Sequence, residues 1–102
     1  MKKAVILIAI LTLIATGLFA ADGAAVYKTK CASCHGPDGS GLTAMGKALK
    51  LRDLASADVQ KQTDKELINE TTDGKAKMPA YKDKLSAEDI SAVVAYLRTL
   101  KK

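Results

Sequence analysis

The chain has no tryptophan, one phenylalanine and three tyrosines in 102 residues. So few aromatic side chains leave little to fill an ordinary core. There are only two cysteines, Cys31 and Cys34, and one histidine, His35. A structural zinc site takes four ligands, usually Cys and His; three candidates fall short, and the usual second pair is absent. A single histidine also excludes ligation of one metal by two imidazoles within the chain. No segment keeps the alternating pattern of a strand, so a thioredoxin-like dithiol, which sets Cys-x-x-Cys beside a βαβ unit, has no frame. A disulfide between cysteines three apart would be strained and would close a trivial loop. Charges of both signs are mixed along the chain without a block of one sign, which argues against a nucleic-acid binder. There is no internal repeat and no low-complexity segment.

What is present begins with an export signal. Met1, Lys2 and Lys3 give a positive start, residues 4–16 are uncharged and almost wholly apolar, and small residues lead to the first acid, Asp22. That order describes a secretory signal peptide over residues 1–21. The cleavage point near 20–21 stays open, because Leu18 or Phe19 would stand where a small residue is preferred. The alternative is a retained anchor: residues 4–21 number eighteen, near the lower limit of roughly 17 residues that span a bilayer. Either way the remainder lies outside the cytoplasm. From Asp22 the chain is one domain of 81 residues, residues 22–102, and loss of Lys2 and Lys3 leaves 14 basic against 11 acidic residues, a net charge of +3. A domain this short buries only about 60–65% of its unfolded surface and needs a staple or a cofactor.

The pattern predicts an all-α domain. Asp22 is a good N-cap for a helix toward Lys30. Thr63 and Glu66 have capping-box spacing ahead of Leu67 and Ile68, Thr71 and Thr72 weaken the end of that helix, and Gly74 stops it. Ser86 caps the clearest helix, with Asp89 three residues on and Ile90, Val93, Val94, Leu97 and Leu100 at helical spacing. Arg98, Lys101 and Lys102 suit its C-terminal dipole. A weaker helix covers Thr43 to Leu49. Residues 36–41 and 73–85 read as loops.

A carboxylate could still complete a zinc site, but the stretch Cys31-Ala-Ser-Cys34-His35 fits a third chemistry better. C-x-x-C-H is the attachment signature of haem c. Two thiols spaced this way add to the two vinyl groups on one porphyrin edge, and the adjacent histidine meets the iron from one face. A flat apolar cofactor also answers the thin core. Thioether sulfur is the next expected axial ligand. Met1 leaves with the signal, so Met45 and Met78 remain. Met78 precedes Pro79, which pushes it extended, in a loop behind Gly74 that can cross the second haem face. Met45 sits in a helical segment and reads as core filler.

With these residues in view, the chain resembles the small, exported, monohaem class I cytochromes c of bacteria. Gly23 and Tyr27 stand eight and four residues before Cys31, where that family has a glycine and an aromatic on a first helix that crosses the last one closely. Val93, Tyr96 and Leu97 in SAVVAYLRTL fall at its contact positions, and KMPAY resembles its methionine loop. The resemblance implies three to five short helices wrapped around one covalently bound haem c, with Cys31 and Cys34 as thioether links, His35 as proximal and Met78 as distal ligand of the iron. One departure concerns a proline well past the histidine, whose carbonyl accepts its ring N–H in many members. Here Pro37 is too close and the only other proline is Pro79, so that acceptor is left unassigned. Residues 42–58 match the family least, and Arg52 reads equally as a partner for a haem propionate or as a surface charge.

The function expected is one-electron transfer between redox proteins, respiratory or other, by an exported, periplasmic monomer that is not an enzyme. An anchored or fixed subunit of a respiratory complex is the alternative. A haem peroxidase or gas sensor would need an open iron position and a distal acid–base group. Lys28, Lys30, Lys75, Lys77, Lys82 and Lys84 surround the haem-binding segments and would steer an acidic redox partner; with Asp73 and Asp83 nearby they read equally as ordinary surface charge. Membrane association is expected only if residues 1–21 are retained.

Overall fold

Each of the four longer helices begins where a short polar side chain takes up a backbone N–H that the first turn leaves unpaired. In the computed structural model, which describes residues 22–101, Asp22 Oδ1 accepts from Ala25 N at 3.2 Å and opens α1 (Gly23–Lys30). Thr43 Oγ1 accepts from Gly46 N at 2.9 Å and opens α3 (Ala44–Leu49), after the single turn α2 (Ala32–His35). A second single turn, α4 (Ala57–Gln60), follows Ser56. Complete capping boxes, Thr63 with Glu66 and Ser86 with Asp89, open α5 (Asp64–Asp73) and α6 (Ala87–Arg98). The expected export segment, residues 1–21, lies outside the described residues, and with it the choice between cleavage and a retained anchor.

The class is all-α as expected. Among the described residues the helical segments number six rather than three to five, because α2 and α4 are single turns of four residues. Among the described residues the only β pairing is an isolated bridge between Lys75 and Met78. Thr71 and Thr72 do not fray α5. Their hydroxyls donate to the carbonyls of Leu67 and Ile68 at 2.8 and 2.7 Å, one turn back, so the polar groups are satisfied inside the helix. Gly74, with φ 80°, ends it.

The apolar stripe of α6 organises the packing. One cluster joins Tyr27 of α1 to Val93 and Leu97, with Val26, Leu54, Tyr96 and Leu100 around it. A second joins Val59, Leu67 and Val94, with Leu54 and Ile68. The crossing of α1 on α6 is the more extensive helix pairing, followed by α5 on α6. Gly23 permits that crossing, since a Cβ there would run into the Ala92 carbonyl oxygen and stand 3.2 Å from Tyr96 Cβ.

Arg98 ties the end of α6 to the α4–α5 connection. Its Nη1 donates to the Gln60 carbonyl at 2.8 Å and its Nη2 to the Gln62 carbonyl at 2.6 Å. Nε and Nη2 reach Asp64 Oδ1 at 3.0 and 2.8 Å. Gln60 Nε2 in turn donates to the carbonyls of Leu54 and Leu97, at 2.7 and 3.0 Å.

Candidate functional site

The two clusters flank a cavity of about 440 Å³. Tyr27, Leu49, Leu51, Leu54, Val59, Leu67, Val93 and Leu97 give it apolar walls, and Lys50, Arg52, Gln62, Glu70, Lys75 and Lys77 supply its polar lining. Cys31, His35 and Met78 all line it. A smaller cavity of about 50 Å³ lies on the side of the second thiol and is lined by Cys34, again with Cys31, His35 and Met78, and by Pro79 and Tyr81. The four residues that the sequence singles out are thus brought together.

Cys31 is the joint between α1 and α2, and Cys34 and His35 lie in the single turn of α2. The N–H of Cys31 donates to the Tyr27 carbonyl at 2.9 Å, and the N–H of His35 to the Cys31 carbonyl at 3.0 Å, so the thiols and the imidazole share one helical corner. No disulfide joins Cys31 to Cys34. Burial, with a smaller contribution from Cys34, pushes the Cys31 thiol up to about 11. Burial holds His35 below its usual value, which favours the neutral imidazole that binds metal. Its Nδ1 is buried and finds no hydrogen-bond partner among the described residues.

Met78 arrives on a tight hairpin. Lys75 N donates to the Met78 carbonyl at 3.2 Å and Met78 N to the Lys75 carbonyl at 2.9 Å. At its corner Ala76 takes φ 52°, a left-handed conformation that costs an L-residue roughly 1–2 kcal/mol. The far end of the loop is tied back to α5, where Tyr81 N donates to the Thr71 carbonyl at 3.0 Å. Tyr81 Oη reaches the Lys30 carbonyl at 3.1 Å, joining the loop to the end of α1.

Met45 is not core filler. It is 51% exposed and lines neither cavity, while its neighbour Leu42 is 69% exposed. The short α3 is held instead by Thr43, whose hydroxyl donates to the Cys34 carbonyl at 2.6 Å, and by Gly46, where a Cβ would stand 2.7 Å from that same oxygen. Arg52 lines the cavity but is exposed, and its Nη2 donates to Gln62 Oε1 at 3.3 Å. Gln62 donates onward to Glu70 at 2.9 Å, and Lys75 pairs with the same carboxylate at 3.1 Å. Burial alone would raise Glu70, but the hydrogen bonds from Gln62 and Lys75 and the charges of Lys75 and Arg52 outweigh it and hold the carboxyl below its usual value. Of the sequence-marked lysines, Lys75 and Lys77 line the large cavity and Lys30 and Lys77 the small one. Lys84 lies over the ring of Tyr81, 5.4 Å from its centre.

Tyr27 has a second role that its sequence position did not disclose. Its Oη donates to the Gly36 carbonyl at 2.5 Å. Chiefly through burial, its pKa is pushed up to about 12, so the phenol stays a donor. No local motif marks Gln62 or Glu70; only the fold brings them to the cavity.

Two thiols and an imidazole on one corner, a thioether on the facing loop and an apolar chamber between them suit a flat iron macrocycle. An imidazole kept neutral by burial suits its iron as well. Arg52 and Lys75 offer cations to acidic substituents of such a group.

A family model described as cytochrome C oxidase, cbb3-type, subunit III matches residues 19–97. The cytochrome c6 of Microcystis aeruginosa is 38% identical over 76 residues, which are 74% of this chain and 90% of that protein. The solved c-type cytochrome KustC0563 superposes with a TM-score of 0.74 at 36% identity, over 79% of this chain and 99% of that one. Cytochrome c6C from Synechococcus sp. PCC 7002 superposes with a TM-score of 0.61 at 33% identity, over 76% of this chain and 92% of that one. The chain belongs to the small monohaem class I c-type cytochromes. Its cofactor is covalently bound haem c with its iron, and its work is electron transfer with redox protein partners.

Proposed function

We propose that this cytochrome is an exported, periplasmic, monomeric one-electron carrier whose iron is ligated by His35 and Met78, with Cys31 and Cys34 as the thioether links. The observation that carries the reading is that His35 and Met78 line the same cavity from different segments of the chain. Haem c, when bound, supplies the one-electron iron couple. The chain's own residues would hold and shield it: Cys31 and Cys34 would bond it covalently, His35 and Met78 would ligate its iron, and Leu49, Leu67, Val93 and Leu97 would exclude water. With both axial positions taken by protein, no iron position is left for a substrate, and the protein is not an enzyme.

The test is visible absorption of the haem-loaded protein, oxidised and reduced, beside Met78→Ala. The oxidised wild type should show the weak far-red methionine–iron band, and the variant should lose it. A wild type without that band, or one that readily binds carbon monoxide when reduced, would sink the His35–Met78 assignment and bring the peroxidase or sensor reading forward.

The description of the matching family model favours a second reading, a fixed subunit of a respiratory complex. No helix among the described residues is long and apolar enough to cross a membrane, so anchoring would fall to residues 1–21. Membrane fractionation of the expressed full chain separates the two, since a carrier partitions into the periplasmic extract.

A further inference from the structure

A ligating histidine almost always donates its other ring N–H to a fixed acceptor, which sets the plane of the ring. Here no such acceptor meets His35 Nδ1 among the described residues. The position is made looser still by its neighbour. Gly36 follows directly, with φ 86°, a backbone state that glycine enters without strain and leaves as easily.

Three hydrogen bonds to the carbonyls of His35 and Gly36 oppose that freedom. Gly41 N donates to the His35 carbonyl at 2.8 Å. The phenol of Tyr27 donates to the Gly36 carbonyl at 2.5 Å, and Gly39 N shares that acceptor at 3.1 Å. Tyr27 is a rigid source for such a bond. It is 2% exposed, packs in one cluster with Val93 and Leu97, and lies 5.1 Å from the Tyr96 ring, centre to centre. A donor anchored on the α1–α6 crossing thus reaches the peptide group next to the histidine.

We infer that Tyr27 is the positioning residue of His35: its phenol, by pinning the Gly36 carbonyl, fixes the orientation of the imidazole that a ring-to-carbonyl bond would otherwise fix. The inference rests on the reading of His35 as iron ligand. It assigns Tyr27 no contact with the iron and no electron of its own.

The ferric iron carries the greater charge and draws more on the imidazole lone pair, so loss of alignment weakens the ferric state more. In Tyr27→Phe the ring and its packing remain and only the phenol is lost. The haem-loaded variant should show a higher reduction potential and an altered spread of the ferric haem-methyl NMR shifts, which report the plane of the axial ring. Tyr96→Phe, which removes the neighbouring hydroxyl without touching Gly36, should leave both unchanged. Should Tyr27→Phe fail to yield folded protein, 3-fluorotyrosine at position 27, a stronger donor of almost the same size, should move the potential the opposite way. An unchanged potential and shift pattern in Tyr27→Phe or in the fluorotyrosine protein overturns the inference, as does an equal change in Tyr96→Phe. Failure of the underlying reading looks different, because the wild type would then lack the hyperfine-shifted ring protons of an axial histidine.

Discussion

At the scale of single residues, the smallest side chain carries the largest geometric demand. Gly23 sits where α1 meets the backbone of α6, and any Cβ there meets the Ala92 carbonyl. Backbone cannot swing aside as a side chain can, so the helices must part. Gly23→Ala is expected to destabilise the holoprotein by about 1–3 kcal/mol, the usual cost of overpacking. Thermal unfolding followed at a haem band checks this: a Tm within error of wild type would mean that the crossing is softer than its contacts imply. The residue scale is also where the sequence is most informative. The attachment motif is five adjacent residues, and its chemistry follows from their order. Met78 is legible because Pro79 and Gly74 fix a loop locally. Tyr27 is legible as an aromatic on a helix, but its bond to Gly36 spans nine residues and depends on how α2 folds back.

At the scale of elements, caps and stripes speak clearly and ties do not. The boundaries of α5 and α6 were readable from Thr63, Glu66, Ser86 and Asp89, because a capping box is a local exchange of hydrogen bonds. The single turn α4 escaped notice, as four residues are too few to express a helical period. The Arg98 tie escaped too. In sequence it is a cation at a helix end, whereas in the structure its guanidinium serves two carbonyls and one carboxylate across more than thirty residues. A lysine has the charge without the planar fork. Arg98→Lys should therefore cost more than Asp64→Asn, which removes only the exposed ion pair; such pairs contribute about 0–1 kcal/mol. Denaturant midpoints of the two variants decide it, and a larger loss in Asp64→Asn would show that charge rather than hydrogen bonding holds the tie.

At the scale of the whole molecule, charge is distributed around the site. Lys30, Lys50, Arg52, Lys75 and Lys77 line the two cavities, with Glu70 the carboxylate among the lining residues. A cationic frame attracts anions and repels cations, and added salt screens the effect. Small oxidants can test the sign of this field without knowledge of the partner. Oxidation by ferricyanide, an anion, should slow several-fold as salt rises from about 10 to about 200 mM, a range over which the screening length falls from roughly 30 to under 10 Å. Oxidation by a cationic cobalt complex should speed up over the same range. Salt-independent rates with both reagents would reduce the lysines to ordinary surface charge.

The crossing of α1 on α6 also has a consequence in time. The first folded helix finds its partner in the last, so the most extensive helix pairing waits until nearly the whole chain is available. Closing so long a loop is slow compared with forming either helix. Until that crossing forms, Cys31 at the joint of α1 and α2, with Cys34 and His35 in α2, is not yet held against α6. The order of the elements thus leaves the attachment segment uncovered in any chain whose C-terminal helix has not yet packed on α1.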